Sequence, residues 1–461
     1  LDAYLFRSMQ MELSAMWDRL REYGYGGPFM MVHNSGGMAE VFKTDAVRTY
    51  SAGPVAGLIG SYRLAKEIGH KNVITTDVGG TSFDIGLVVD QSVRNYDFRP
   101  ILDRWMVGMT MLQTMSIGAG GGSIAWLNTL LGNQLEVGPQ SAGSYPGPIC
   151  YDQGGEAPTV TDADLVLGYI DPDYYFGGNM MLNKEKAEEA IKTKLADPLG
   201  LSVPDTALLI RKIVDNHMAA AIRKEINLRG YDPREFVLFA VGGGGPTHVA
   251  GYMGDIPTAM AFPFSPVFSA LGSSVMDIMH IYEASKRYMV MEPGTAQFNT
   301  NFDEFNHEVE VLIEKAKKEL QGEGLDLEKA VFKLELDMLY GGQVHRKRAS
   351  SPLLYIKSQA DIEAVYQSFE KEFSETFSPL VVHPEGGCYV ESFVLTASIP
   401  TEKPPLAVYQ MEGPDPSAAK KGTRSCYWGN GGVEESPVYE YGQMKAGNIL
   451  KGPAILETEY T

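Results

Sequence analysis

The chain has 461 residues, more than a single compact core accommodates, so two or three domains are expected. Hydrophobic residues make up 44% and charged residues 21%, the balance of a folded globular protein rather than a disordered or fibrous one. A formal net charge of -19 excludes nonspecific nucleic-acid binding, because a polyanion is repelled over most of such a surface.

No run reaches the roughly 20 apolar residues that cross a bilayer, and the first residues lack the basic, apolar, small-residue order of a secretion signal, so a cytoplasmic setting is expected. Cys150, Cys388 and Cys426 are few and far apart. They suit a reducing compartment and offer neither a disulfide framework nor a zinc-knuckle spacing, so no structural metal is implied. Glycine is the informative excess, with 50 residues, many in short clusters where ligand loops are to be sought.

In chain order, Leu5, Met9, Leu13, Met16 and Leu20 recur at helical spacing and predict an amphipathic first helix. The chain opens inside that helix without an initiator methionine and stops at Tyr460-Thr461 just after a strand-like run. Both ends therefore read as cut from a longer subunit. From Leu1 to about Tyr288, short β-rich runs alternate with glycine turns and helical stretches, the order of an α/β domain. Asn72 to Thr76 and Phe236 to Val241 read as strands. Asp205 to Arg229 reads as a helix with apolar Ile210, Ile213, Val214, Met218, Ala221 and Ile222, stopped by Gly230 and Pro233.

Beyond Met291 the glycine clusters give way to longer charged segments, and a second, α+β domain is expected over residues 291–461. Phe302, Phe305, Val309, Leu312, Ala316 and Leu320 predict one helix; Ile362, Val365, Phe369 and Phe373 predict another. Phe332, Leu334, Leu336, Met338 and Tyr340 alternate with charged residues as a half-buried strand, and Tyr389 to Ile399 reads as a further strand. A Pro- and Gly-rich stretch follows from Pro400 to about Val433.

The strongest chemical signal is TTDVGGTSFDIGLV, Thr75 to Val88. A β-rich run ends at Asp77, turns through Gly79, Gly80, Thr81 and Ser82, and re-enters a strand at Phe83. The glycines let backbone N–H groups approach a phosphate, while Thr81 and Ser82 supply hydroxyl donors. Asp77 is placed to hold hydrated Mg2+ or to orient a nucleophile. The plain alternative is an ordinary Gly-Gly hairpin turn.

The second signal is FVLFAVGGGGPTHVAGYM, Phe236 to Met253, where an apolar strand runs into Gly242, Gly243, Gly244 and Gly245, then Pro246 and a helix start. A glycine turn opening a helix suits a nucleotide: side chains are absent where the ligand lies, and the helix end favours negative charge. The spacing matches neither the dinucleotide fingerprint nor the P-loop. SIGAGGGS, Ser116 to Ser123, offers a third ligand-facing loop through Gly120 and Gly121, or else a loop packed beneath the domain.

Four other candidates read as structural or remain open. His248 at the helix start reads as a structural hydrogen-bonder. His217, within an apolar helical face, reads as a core histidine, and Cys150, with no adjacent histidine to activate it, as a buried thiol. His345 to Arg348 form a basic run that either meets a partner or is solvated.

Taken together, the two glycine-ended strands resemble the second phosphate loop and the adenosine loop of the actin-like, sugar-kinase-like ATPase fold. In that fold two ribonuclease-H-like halves grip ATP, and the first phosphate hairpin would lie upstream of this sequence. HNSGG (His33 to Gly37), SAGPVAG (Ser51 to Gly57), SIGAGGGS, VGPQSAGSYPGPICY (Val137 to Tyr151), PTVTDADLVLG (Pro158 to Gly168) and RGYDPREFVLFAVGGGGP (Arg229 to Pro246) resemble the hydantoinase A and oxoprolinase family, in family order. Gly244 and Thr247 depart from the Ala and Leu of many relatives. LDMLYGGQVHRKRA (Leu336 to Ala349) and ILKGPAILE (Ile449 to Glu457) look most like the acetone-carboxylating branch.

That resemblance implies a ribonuclease-H-like ATPase domain over residues 1–290, using ATP and Mg2+, with phosphoryl transfer activating a ketone enolate and bicarbonate. Acetone, converted to acetoacetate, is the first expectation and an aromatic ketone an alternative. It also implies alpha and gamma partner subunits, in a dimer of heterotrimers, with manganese or a similar metal held by a partner and not by this chain. Two other readings predict different chemistry: ATP-dependent opening of a hydantoin or oxoproline ring, and a non-catalytic nucleotide switch.

Overall fold

The computed structural model describes residues 2–96, 100–102, 104–429 and 432–459; Leu1, Tyr460 and Thr461, named above, lie outside them. The chain is a mixed α/β protein that separates into two compact units, each assembled from three stretches of sequence. One comprises Leu1–Ala52, Asn95–Leu112 and Val275–Lys403, the other Gly53–Arg94, Gln113–Ser274 and Pro404–Thr461. The two units are interleaved along the sequence. The strand Ile278–Met291 pairs with Cys388–Ile399 along its length, and the last stretch of chain joins the glycine-rich unit.

The glycine-rich unit is built on a sheet in the order Thr258–Ala261, Val237–Val241, Val73–Val78, Phe83–Val89, Ser92–Val93, with Thr114–Ile117 also paired to Phe83–Val89. Val237–Val241 runs parallel to both its neighbours, and Val73–Val78 and Phe83–Val89 form the expected antiparallel hairpin. The two central parallel strands are almost wholly apolar or β-branched because both their faces are covered. Ile74, Val78, Phe83, Leu238 and Ala240 pack with Val160, Ala163, Ile210, Val214, Met218 and Tyr252, all buried, from the helices Val160–Val166, Val203–Asn227 and Gly245–Tyr252. Each fully buried Ile, Val or Phe contributes roughly 1.5–3 kcal/mol.

The long helix starts where Ser202 caps Asp205 N and ends at Asn227, with Gly230 in the left-handed region at φ +71. His217 is exposed on it, contrary to the expected core position. The buried face follows three- and four-residue steps through Ile210, Val214, Met218 and Ile222, and His217 points away from that stripe. Cys150 is fully buried, as are Cys388 and Cys426. Part of the Pro- and Gly-rich stretch forms a strand, Lys420–Tyr427, in a small sheet with Val433–Glu440 and Ile455–Glu457. That sheet is fixed to the end of helix Val160–Val166 by Tyr427 N donating to Leu167 O (2.9 Å) and by stacking of Trp428 on Tyr169.

The other unit carries a sheet in the order Met30–Val32, Met38–Glu40, Ile278–Met291, Cys388–Ile399, Val331–Tyr340, Lys347–Ser350. Helices Phe302–Gly322 and Gln359–Thr376 supply Phe305, Val309, Leu312, Phe369 and Phe373 to its core. Leu334, Leu336, Met338 and Tyr340 are buried and alternate with less buried residues, the expected half-buried strand. The first helix, Asp2–Glu22, forms as predicted, with Leu13 its buried residue. Arg348, from the basic run, is held inside the unit: it forks onto Asp337 (2.8 and 3.0 Å) and donates to Thr110. No helix among the described residues is long and apolar enough to cross a membrane.

Candidate functional site

Because Val237–Val241 and Val73–Val78 are parallel neighbours, with Val241 opposite Asp77, both strands end at the same edge of the sheet. Their glycine turns are consequently side by side. Gly244 N donates to Val78 O (3.0 Å), joining the second turn to the strand end that opens the first. Ligands of open α/β sheets bind at such carboxyl ends.

The hairpin turn Gly79–Ser82 is closed by Gly79 N donating to Ser82 O (3.1 Å), and Gly79, Gly80 and Thr81 are exposed. The loop of Gly120 and Gly121 packs against it. Gly121 N donates to Gly79 O (3.0 Å) and Gly122 N to Gly80 O (2.7 Å). A β-carbon on Gly120 would stand 2.6 Å from Gly79 O, so glycine there serves the packing of loop on loop. Thr81 Oγ1 lies 3.3 Å from Ser141 Oγ, which places the VGPQSAGS segment at the same edge.

Among the remaining glycines, Gly242 is required by its neighbours. It has φ +81, and a β-carbon would fall 2.3 Å from Asp77 Oδ1. At Gly79, Gly80 and Gly243 a β-carbon would meet no protein atom within 4 Å. The fold itself does not demand glycine at those three positions, which are the ones suited to close approach by a ligand. Pro246 sits in the first turn of helix Gly245–Tyr252, where its missing N–H costs nothing, and that turn carries no acidic residue to compete for an anion.

Asp77 is half-buried and accepts a hydrogen bond from Ser269 Oγ (3.1 Å). Burial holds its carboxyl above the ordinary range, with a further push from the Asp84 carboxylate and partial relief from Ser269. Asp84 stands directly opposite Asp77 across the hairpin. Burial raises it too, against hydrogen bonds from Ser116 and Ser82. Two half-buried carboxylates, each relieved only in part by hydroxyl donors, are hard oxygen donors that fit Mg2+. Among the described residues no three His, Cys, Asp or Glu side chains converge on a metal position, so a bound Mg2+ would draw the rest of its shell from phosphate and water.

The nucleotide-site residues expected from the sequence, Asp77, Gly79, Gly80, Thr81, Ser82, Gly120, Gly121, Gly242 to Gly245 and Pro246, lie at this one edge. Asp84 and Ser269 were missed. For Asp84 a signal existed: strand parity across a four-residue turn puts residues 77 and 84 on one face. A cavity of about 650 Å3 lies elsewhere, lined by Leu167, Glu188, Val203 and Tyr427 among others, and shares no residue with the turns.

The hydantoinase/oxoprolinase family model matches residues 1–282, and that of the hydantoinase/oxoprolinase C-terminal domain matches residues 295–461. Over its whole length the chain is 58% identical to the acetophenone carboxylase gamma subunit of Aromatoleum aromaticum, of which it spans 63%. It is 29% identical to the acetone carboxylase beta subunit of Xanthobacter autotrophicus and 30% identical to the caprolactamase subunit alpha of Pseudomonas jessenii, spanning 64% and 66% of them. A nucleotide-free structure of acetone carboxylase superposes with a TM-score of 0.84 at 28% identity, over 97% of this chain and 63% of that one. The ATP-dependent caprolactamase of Pseudomonas jessenii gives 0.79 at 28% identity, over all of this chain and 65% of that one. The chain thus spans just under two thirds of the length of these relatives. With its two glycine turns meeting at one sheet edge, and with family domains matched from end to end but for a short gap, this chain belongs to the hydantoinase/oxoprolinase family.

Proposed function

We propose that this chain is the ATP-handling part of a ketone carboxylase subunit, with the polyphosphate of ATP across Gly79–Ser82 and its base against Gly242–Gly245. The observation that carries the reading is the hydrogen bond from Gly244 N to Val78 O, which sets the two turns against each other. The hairpin, the late glycine turn and the parallel strands between them support an actin-type, ribonuclease-H-like ATPase fold for this unit. The relatives support an aromatic ketone such as acetophenone at least as well as acetone, the first expectation.

A ketone C–H is a poor acid and bicarbonate a poor electrophile. Phosphorylation of the enolate oxygen traps the enol, and phosphorylation of bicarbonate gives carboxyphosphate. Such transfers need positioning and charge stabilisation more than covalent help from the protein. In this reading the exposed backbone of Gly79 to Thr81 cradles the transferred phosphoryl group, while Asp77, held by Ser269, orients the attacking oxygen. Asp84 shares the metal-facing side of the hairpin with Asp77. Mg2+, when bound, would neutralise phosphate charge there. Carbon–carbon bond formation falls to a separate alpha subunit bearing manganese or a similar metal, in a hetero-oligomeric cytoplasmic complex.

The caprolactamase relative favours a second reading, in which an amide oxygen is phosphorylated before water opens a ring. Both share the nucleotide site and differ in the acceptor. The deciding experiment measures ATP cleavage by the complete subunit in its complex. Stimulation by acetophenone or acetone with bicarbonate is expected. Stimulation by caprolactam or 5-oxoproline without bicarbonate would replace ketone carboxylation with amide hydrolysis, and slow cleavage indifferent to every carbonyl compound would leave a nucleotide switch.

A further inference from the structure

Behind the glycine turn, four buried ionisable side chains meet: Asp164, Arg211, Asp215 and His248, each no more than 9% exposed. His248 Nδ1 lies 2.7 Å from Asp215 Oδ1, and its Nε2 lies 3.0 Å from Asp164 Oδ2. Ionised carboxylates only accept, so this geometry suits an imidazole that carries a proton on each nitrogen. Burial alone would lower its affinity for the proton, but Asp164 and Asp215 hold it above the ordinary histidine value. Arg211 pairs with Asp164, approaches Asp215 at 3.6 Å, lies over the Tyr169 ring and donates to Thr247 O. With the imidazole protonated, two cations face two carboxylates.

Stability alone does not account for such a quartet, since replacing buried ion pairs with apolar groups is often neutral or stabilising. Its position in the hydrogen-bond path is more telling. The path runs from the hairpin tip at Gly79 O to Gly121 N, and from Gly121 O to Thr161 N and Oγ1 (2.8 and 2.9 Å). Thr161 and Asp164 lie one turn apart on helix Val160–Val166. Asp164 holds His248, which follows Pro246 in the helix opened by the glycine turn, and Gly244 N returns to Val78 O beside the hairpin. The circuit closes through both turns, and the quartet is its charged link.

We infer that Asp164, Arg211, Asp215 and His248 are positioning residues that set the separation between the hairpin tip and the glycine turn, so that one nucleotide reaches both. This rests on the nucleotide reading above. His248 touches neither ligand nor reacting atom; it acts through the helix it anchors.

The test is titration of the complete subunit, in its complex, with ATP and Mg2+, alongside competition by pyrophosphate, which reaches the hairpin alone. His248→Gln keeps a donor group, its NH2, but presents a carbonyl oxygen where the second donating nitrogen stood, so it does not bridge the two carboxylates. It is expected to weaken ATP about tenfold or more while changing pyrophosphate less than about twofold. Adding Asp215→Asn restores an uncharged amide pair and should recover part of the ATP loss, which a merely stabilising role does not predict. If His248→Gln does not fold, Thr161→Val, which removes only the hydroxyl bond to Gly121, carries the test and should weaken ATP by about threefold. Unchanged ATP affinity in the folded variants, or equal weakening of ATP and pyrophosphate, overturns the inference. Failure of the unaltered complex to bind ATP would count against the nucleotide reading instead.

Discussion

Asp77 and Asp84 oppose one another across the hairpin, both half-buried and both held above the ordinary carboxylate range by burial. The pair is kept in a state that a folded protein would avoid if stability were all that mattered, and that tension makes it testable.

Asp77→Asn should retain the fold and bind ATP, yet lose about a hundredfold or more in phosphoryl transfer, because the amide neither orients an attacking oxygen through a charge nor holds a cation. Unchanged turnover in single-turnover ATP cleavage would remove Asp77 from the mechanism. Asp84→Asn should chiefly raise the Mg2+ concentration needed for half-maximal activity.

The same pair predicts a stability dependence with a definite sign. A carboxyl whose folded pKa lies above its unfolded value of 3.8 binds more protons in the folded state, so its contribution to stability falls as pH rises from about 4 through the folded value. Asp77→Asn should therefore melt at the same or a higher temperature than the unaltered protein at pH 7, with the difference closing toward pH 4. A lower melting temperature at pH 7 would mean that the carboxylate is compensated in the folded protein after all.

Two neighbouring glycines should behave oppositely. Gly242→Ala puts a β-carbon against Asp77 in a left-handed backbone and should cost about 1–3 kcal/mol of stability while displacing that carboxylate. Gly243→Val places its β-carbon where no protein atom lies within 4 Å and should fold normally while weakening ATP about tenfold or more. Thermal melting and calorimetric titration separate the two, and a Gly243→Val protein with full ATP affinity would displace the base from this turn.

Asp162 offers a test of the scaffold itself. Its buried carboxylate accepts from Ile149 N, Cys150 N, Thr159 N and Thr159 Oγ1, tying the Pro-Gly loop to the start of helix Val160–Val166. Asp162→Asn turns an NH2 donor toward backbone and hydroxyl donors in place of one accepting oxygen and should cost about 2–4 kcal/mol, read from denaturant unfolding. Cys150, beside it, has its thiol pushed far up by burial and by Asp162. It should resist alkylation in the native protein at pH 8 and react once unfolded; rapid native labelling would show that the loop opens.

The hairpin and the glycine turn were legible because strand alternation and glycine clusters are local signals, and Asp77, Gly79 and Gly242 stand where those signals place them. Helix Val203–Asn227 was legible through its apolar period and its Gly230 stop. His217 was misjudged because its apolar neighbours in sequence are not its neighbours on the helix face. Asp84 was readable from strand parity. The links from Asp164 and Arg211 to His248 join residues distant in sequence, and only tertiary packing reveals them. The strand Lys420–Tyr427 was hidden because Cys426 is its one fully buried side chain, leaving no alternation to read.

The two-unit arrangement bears on how the polypeptide can be made and dissected. Neither core is a continuous stretch: the strand Met38–Glu40 waits for Ile278–Met291, and the helix end at Leu167 waits for Tyr427. On the ribosome, both units remain incomplete until the downstream residues emerge, exposing apolar strand edges for much of synthesis. A protease nick in an exposed loop therefore leaves neither half as an autonomous folding piece, and shortening the chain near residue 290 strips partners from both.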